Sequence, residues 1–197
     1  MLRISVMVSG GGSNLQALID AIDYGQIKDA EIVQVISSSP SAFALERAEK
    51  HNIKVLVIGK KEFPNEEERN IAILKALKKE GTDLVVLAGY MNIMAPELVK
   101  EYKGKIINIH PSLIPKFCGE GFYGLKVHEA VIKAGEKESG ATVHYVDEGI
   151  DTGEIIIQEK VPVKPGDNPA TLAARVLEIE HKILPKAILI WQVKGEE

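Results

Sequence analysis

The sequence predicts an α/β fold: a doubly wound, mostly parallel sheet with a C-terminal antiparallel hairpin and a terminal helix. Three observations carry this. Short runs rich in Val and Ile alternate with helical patterns through the first two-thirds of the chain. The last third breaks that alternation with two strand-like runs joined by a turn dense in Gly and Asp. An Asn168-Pro169 pair then opens a long helical stretch. Alternating strands and helices make βαβ units, whose right-handed crossovers build a parallel sheet.

Residues 3–8, 31–36, 53–58, 84–88 and 105–109 are apolar, β-branched and bounded by turn residues, as buried strands are. Residues 14–24 place Leu15, Leu18, Ile19 and Ile22 on one helical face. In residues 65–80, Asn65 is the expected N-cap, Glu66, Glu67 and Glu68 fill the first turn, and Ile71, Leu74 and Leu77 are the expected apolar positions. Residues 141–146 and 154–163 form the expected hairpin. Asn168 caps a helix through about residue 184, with Pro169 in its first turn. Pro185 is expected to kink or break it, the pattern staying helical to residue 193.

The 197 residues suit one domain, with no internal repeat or linker. Hydrophobic residues at 45% and charged residues at 26% exclude a disordered or fibrous chain. A formal net charge of −4 argues against a nucleic-acid binder. The single cysteine, Cys118, excludes an intramolecular disulfide and fits a reducing cytosol. The amino terminus lacks the long apolar run of a signal peptide, and no stretch is long enough to span a bilayer. The expectation is a cytoplasmic protein with no membrane partner.

Ligands of open α/β sheets bind beyond the carboxyl ends of the strands, and three motifs fall there. The first is Ser-Gly-Gly-Gly-Ser-Asn, residues 9–14. Its glycines let a backbone approach an anion, and the following helix offers free N–H groups. Leu15 occupies the third glycine position of a dinucleotide fingerprint and no Lys completes a Walker loop, so the phosphate of a smaller ligand remains. A tight turn with Ser13 as N-cap is the alternative. The second motif is Asn-Ile-His-Pro-Ser-Leu-Ile-Pro, residues 108–115. Asn108 and His110, two apart on a strand, point to the same side and could hold an oxyanion and move a proton. They could equally cap a buried strand end. The third is Asp151 in the hairpin turn, either a solvated turn residue or the partner that orients His110 and raises its pKa above about 6.5. Spacing leaves open whether the two meet. His51, His128, His144 and His181 lie in no metal-ligand spacing, and no metal is expected.

These segments, with Asp83–Met94 and the stretch Ala-Arg-Val-Leu-Glu-Ile-Glu-His-Lys-Ile-Leu-Pro at residues 174–185, resemble the phosphoribosylglycinamide formyltransferase family of folate-dependent enzymes over nearly the whole chain. The resemblance implies formyl transfer from 10-formyltetrahydrofolate, as co-substrate, to the amine of phosphoribosylglycinamide in purine biosynthesis. It implies substrate-phosphate contacts at Gly12, Ser13 and Asn14, a ribose or glycinamide contact at Glu180, and a catalytic trio of Asn108, His110 and Asp151. It also implies a folate pocket from Met91, Asn92, Ile93 and Met94, with Asn108, Asp147, Glu148, Gly149 and Ile150. A monomer or homodimer acting on small molecules is expected, and residues 118–128 are expected as a flexible lid. Other 10-formyltetrahydrofolate enzymes are the alternatives: the formyltetrahydrofolate hydrolase, expected to carry a further amino-terminal domain, or a formyltransferase with another amine acceptor. A non-catalytic nucleotide-phosphate binding module would leave Asn108, His110 and Asp151 without a common purpose.

Overall fold

Seven strands form one mostly parallel sheet in the order β3-β2-β1-β4-β5-β6-β7. The structure is a computed structural model that describes residues 1–194. The chain divides into two compact units, Met1–Ile107 and Asn108–Glu197.

In the first unit, β1 (Leu2–Val8), β2 (Ala30–Ser37), β3 (Val55–Val57) and β4 (Leu84–Leu87) pair in parallel. β4 is buried throughout and β1 from Ile4 to Val8, which is why both read as apolar runs, interrupted in the buried part of β1 only by Ser5. The buried polar side chains bond to one another. Gln34 donates to the Ser5 hydroxyl at 3.0 Å, and Ser5 meets the Thr82 hydroxyl at 2.7 Å. Around the strands lie α1 (Ser13–Asp23), α2 (Phe43–Lys50), α3 (Glu66–Lys79) and α4 (Pro96–Glu101). Asn65 caps α3, accepting from the Glu68 N–H at 3.1 Å. The buried row of α3 is Arg69, Ile73 and Leu77, while Ile71 is exposed, so the expected face is wrong by part of a turn. Arg69 is the reason. Its stem is buried and its guanidinium donates to the Phe63 carbonyl, so a charged residue fills a core position.

β5 (Ile106–His110) carries the chain into the second unit, with α5 (Leu125–Lys133), β6 (Glu138–Tyr145), β7 (Ile155–Pro162) and α6 (Pro169–Lys194). β6 and β7 pair antiparallel, as the hairpin expectation required. Asn168 caps α6 by accepting from the Thr171 N–H at 3.0 Å. Pro185 does not break α6, which runs through it to Lys194. Ile183, Leu184, Ala187 and Ile188 around the proline are all buried, and their packing outweighs the lost backbone hydrogen bond. The short helices α2, α4 and α5 escape the sequence reading because each is shorter than the window in which helical periodicity shows.

Candidate active site

The glycine motif links β1 to α1. Gly12 is the N-cap, with φ of +71°, and no side chain caps the helix. Ser13 is therefore the first helical residue, and the expected alternative of a Ser13 cap does not form. A Cβ at Gly12 would lie 2.5 Å from the Ala44 Cβ, so glycine is required twice over, by conformation and by space. The start of α2 ties down the loop's carbonyls. The Ala44 N–H donates to the Gly10 carbonyl at 3.1 Å, and Arg47 Nε to that of Gly11 at 2.9 Å. Arg47 also lies over the Phe43 ring, 5.0 Å from its centroid. No side chain competes at the amino terminus of α1, whose dipole end favours an anion. Asn14 is buried in the first turn.

Met91, Asn92, Ile93 and Met94 follow β4. The Met91 N–H donates to the Ser9 hydroxyl at 2.9 Å, and Ser9 meets Ser38 at 2.6 Å, so the segment is anchored beside the end of β1. Met91 and Ile93 are exposed and Met94 is buried. Asn92 Nδ2 lies 3.5 Å from the Tyr90 hydroxyl.

In the second unit Asn108 and His110 stand at the end of β5, and both meet Asp151 across the chain. Asn108 Nδ2 donates to Asp151 Oδ1 at 3.4 Å, and His110 Nδ1 lies 3.6 Å from Oδ2. Asp151 holds φ of +57°, a left-handed conformation that few non-glycine residues adopt. Two residues of the following loop complete the arrangement. The Phe117 carbonyl lies 3.0 Å from His110 Nε2, and the Gly119 N–H donates to Asp151 Oδ2 at 3.0 Å. A carbonyl only accepts, so Nε2 carries a proton.

Burial pushes the His110 pKa down. The Asp151 charge and the Phe117 carbonyl pull it back only in part, and the net direction is below the ordinary value. The expectation that Asp151 lifts His110 above about 6.5 is thus corrected: its sign is right, but burial outweighs it. Burial raises the Asp151 carboxyl, yet the charge of His110 and the Gly119 N–H oppose it, and the net direction is below its ordinary value. Asp151 is the charged member of the group.

His144 is the residue that sequence reasoning missed. It lies on β6, 2% exposed, with Nε2 3.1 Å from Asn108 Nδ2 and 3.5 Å from Asp151 Oδ1. A histidine in an otherwise apolar strand run, needing buried partners for both ring nitrogens, was the available signal. His128, on α5, is buried, with a pKa lowered to about 4 by burial and then by the charge of His110. The last four residues of the expected lid, 125–128, belong to α5, which begins at Leu125. Cys118 is a free thiol raised in pKa by burial and by Asp151. Asp147, Glu148, Gly149 and Ile150 form an exposed turn in which Asp147 Oδ1 accepts from the Gly149 N–H and the Thr152 hydroxyl. Glu180 is buried on α6. Among the described residues no group of three His, Cys, Asp or Glu is placed to hold a metal ion, and no helix is long and apolar enough to cross a membrane.

Known proteins resemble the chain over nearly its whole length. The formyl transferase family model matches residues 2–188. The chain is 48% identical over 95% of its length to the trifunctional purine biosynthetic protein adenosine-3 of Drosophila pseudoobscura pseudoobscura, spanning only 14% of that protein. It is 42% identical over 99% of its length to the phosphoribosylglycinamide formyltransferase of Haemophilus influenzae, covering 89% of that protein. The solved glycinamide ribonucleotide transformylase 1 of Symbiobacterium toebii superposes with a TM-score of 0.89 at 39% identity, over 95% of this chain and 86% of that one. On these matches the chain belongs to the formyl transferase family.

Proposed function

We propose that the chain transfers the formyl group of 10-formyltetrahydrofolate to the amine of 5′-phosphoribosylglycinamide, a step of purine biosynthesis. The observation that carries this reading is the convergence of Asn108 and His110 on Asp151. The amine nitrogen attacks the formyl carbon and the carbonyl oxygen gains negative charge. Asn108 and His110 supply N–H donors to that oxygen, each typically worth about 10²–10³ in rate. The His110 Nε2 proton now held by the Phe117 carbonyl is the one that turns to the substrate oxygen. The arriving negative charge raises the pKa of His110, reversing the effect of burial at the moment the cation is useful. Asp151 holds His110 and accepts, directly or through water, the proton that the attacking nitrogen loses. Collapse of the tetrahedral intermediate breaks the bond from carbon to N10, which departs with that proton.

Gly12, Ser13 and Asn14 take the substrate phosphate on the α1 amino terminus, and Glu180 contacts the ribose or glycinamide portion. Met91, Asn92, Ile93 and Met94, with Asn108 and the turn Asp147, Glu148, Gly149 and Ile150, receive the folate. The reaction asks for no metal, since N–H donors meet the developing charge. The protein works on these two small molecules, without nucleic acid or membrane, as a cytoplasmic monomer or homodimer.

The test is formyl transfer by purified protein supplied with the donor and glycinamide ribonucleotide. The expected product is the formylated ribonucleotide with one tetrahydrofolate per transfer. Formate release without transfer identifies a hydrolase instead, and transfer only to other amines moves the acceptor assignment.

A further inference from the structure

We propose that His144 is a positioning residue that fixes which end of the Asn108 carboxamide faces the reacting carbon, a role that rests on the formyl-transfer reading above. The inference starts from the other side of the imidazole. His144 Nδ1 lies 2.8 Å from the Tyr145 carbonyl oxygen, which can only accept, so Nδ1 carries the proton. In the neutral ring Nε2 is then a lone-pair acceptor, 3.1 Å from the Asn108 amide. Only the nitrogen end of a carboxamide can donate to it. The Tyr145 carbonyl thus sets the His144 tautomer, and the tautomer sets the Asn108 amide. The second Nδ2 hydrogen goes to Asp151 Oδ1 over a longer 3.4 Å.

The two bonds of Asn108 have different uses. Both amide hydrogens are engaged before substrate arrives, so an oxyanion obtains one only by displacing an acceptor. The longer bond, to Asp151, is the one to give way. His144 keeps the other hydrogen and stops the carboxamide turning its oxygen toward a developing negative charge, which would repel it. A buried ring 2% exposed, held at both nitrogens, suits that task. The groups facing it are the Asn108 amide, the Asp151 carboxylate and the Tyr145 carbonyl, with His110 behind Asp151. A ring carrying protons on both nitrogens would instead donate to Asp151 and release Asn108.

A double-mutant cycle with Asn108→Ala and His144→Phe decides the matter, with kcat and both KM values as the readout. His144→Phe should lower kcat roughly 10- to 100-fold, the scale of a misplaced catalytic group, and move each KM less than about threefold. In the Asn108→Ala background the same change should cost less than about twofold, because the residue it acts through is gone. His144→Gln, which keeps a side-chain acceptor, should recover part of the loss and serves in the cycle if His144→Phe does not fold. Equal losses in both backgrounds mean a general structural role and overturn the proposal. A second readout needs no activity: the ¹⁵N–¹⁵N scalar coupling across the hydrogen bond from Asn108 Nδ2 to His144 Nε2 in the free, labelled protein. A resolved coupling lost in His144→Gln supports the proposal, and no coupling in the wild type overturns it. Wild-type protein that fails to formylate the ribonucleotide while showing the coupling defeats the formyl-transfer reading and leaves the orientation of Asn108 standing.

Discussion

At Asp151 the Asn108 amide, the Gly119 N–H and the His110 and His144 rings meet one carboxylate, and the charges there make sharp expectations. His110→Ala, Asn108→Ala and Asp151→Asn should each lower turnover by about 10² or more with circular dichroism unchanged, since each removes a donor to the oxyanion or its electrostatic support. Retained turnover in all three would sink the mechanism. Asp151→Asn should move the His110 titration further below its ordinary value, because the charge opposing burial is gone. NMR of the ring in both proteins measures this, and identical titrations would remove Asp151 as its electrostatic partner. His128 makes the reverse case, in which burial alone nearly decides. Its folded pKa of about 4 lies under the unfolded value of about 6.5, so the unfolded chain takes up the proton first. Stability should fall as pH drops from about 6.5 toward about 4, and His128→Gln should flatten that part of the urea-midpoint profile. Asn108 and His110 were legible in the sequence, because spacing two apart on a strand dictates a shared side. Asp151 was legible only as a candidate, since its contact with Asn108 spans 43 positions and needs the closed fold. His144 was not legible, because holding a side chain 36 positions away leaves no spacing signal in the sequence.

Elements show the same division between local and long-range information. The strands and the N-caps of α3 and α6 could be read because the signals lie within a few residues: Val and Ile runs, Asn65 before three glutamates, Asn168 before Pro169. The continuity of α6 through Pro185 could not be read, since it depends on what packs against Ile183 and Ile188. α2 was invisible by its shortness, yet it shapes the glycine loop through Ala44 and Arg47. Arg47→Ala should therefore raise the KM for the ribonucleotide roughly 10-fold or more, one charge-assisted hydrogen bond's worth, with little change in the KM for folate. Steady-state kinetics with each substrate varied in turn would check this, and parallel rises in both KM values would argue for general loosening of the unit.

For the whole molecule, the linkage between ligand and folding gives a test independent of turnover. At about 100 times its dissociation constant a ligand bound only by the native state adds roughly 2.7 kcal/mol, or about 5–10 °C for a chain of this size. Glycinamide ribonucleotide should produce such a shift in a thermal melt, and the nucleoside lacking phosphate should produce far less at the same concentration. Equal shifts would remove the phosphate from recognition. Composition had excluded whole classes of chain, and the mostly parallel sheet with its added hairpin agreed with the alternation of elements. Those properties are summed over many residues, so errors at single boundaries cancel, whereas a site depends on each of its members.

The close approach of Gly12 and Ala44 has a consequence for how far this sequence can drift. With Ala44 Cα only 2.7 Å from where a Cβ at position 12 would sit, the two positions share a single small volume. A side chain added at 12 could not be accommodated by trimming 44 to glycine, because the backbone of α2 itself stands in the way and φ at 12 is left-handed. In a saturation library selected for growth without external purines, position 12 should return glycine alone and position 44 only the smallest residues. Their tolerance would be set by the distance between two main chains, with no contribution from chemistry at the reacting carbon.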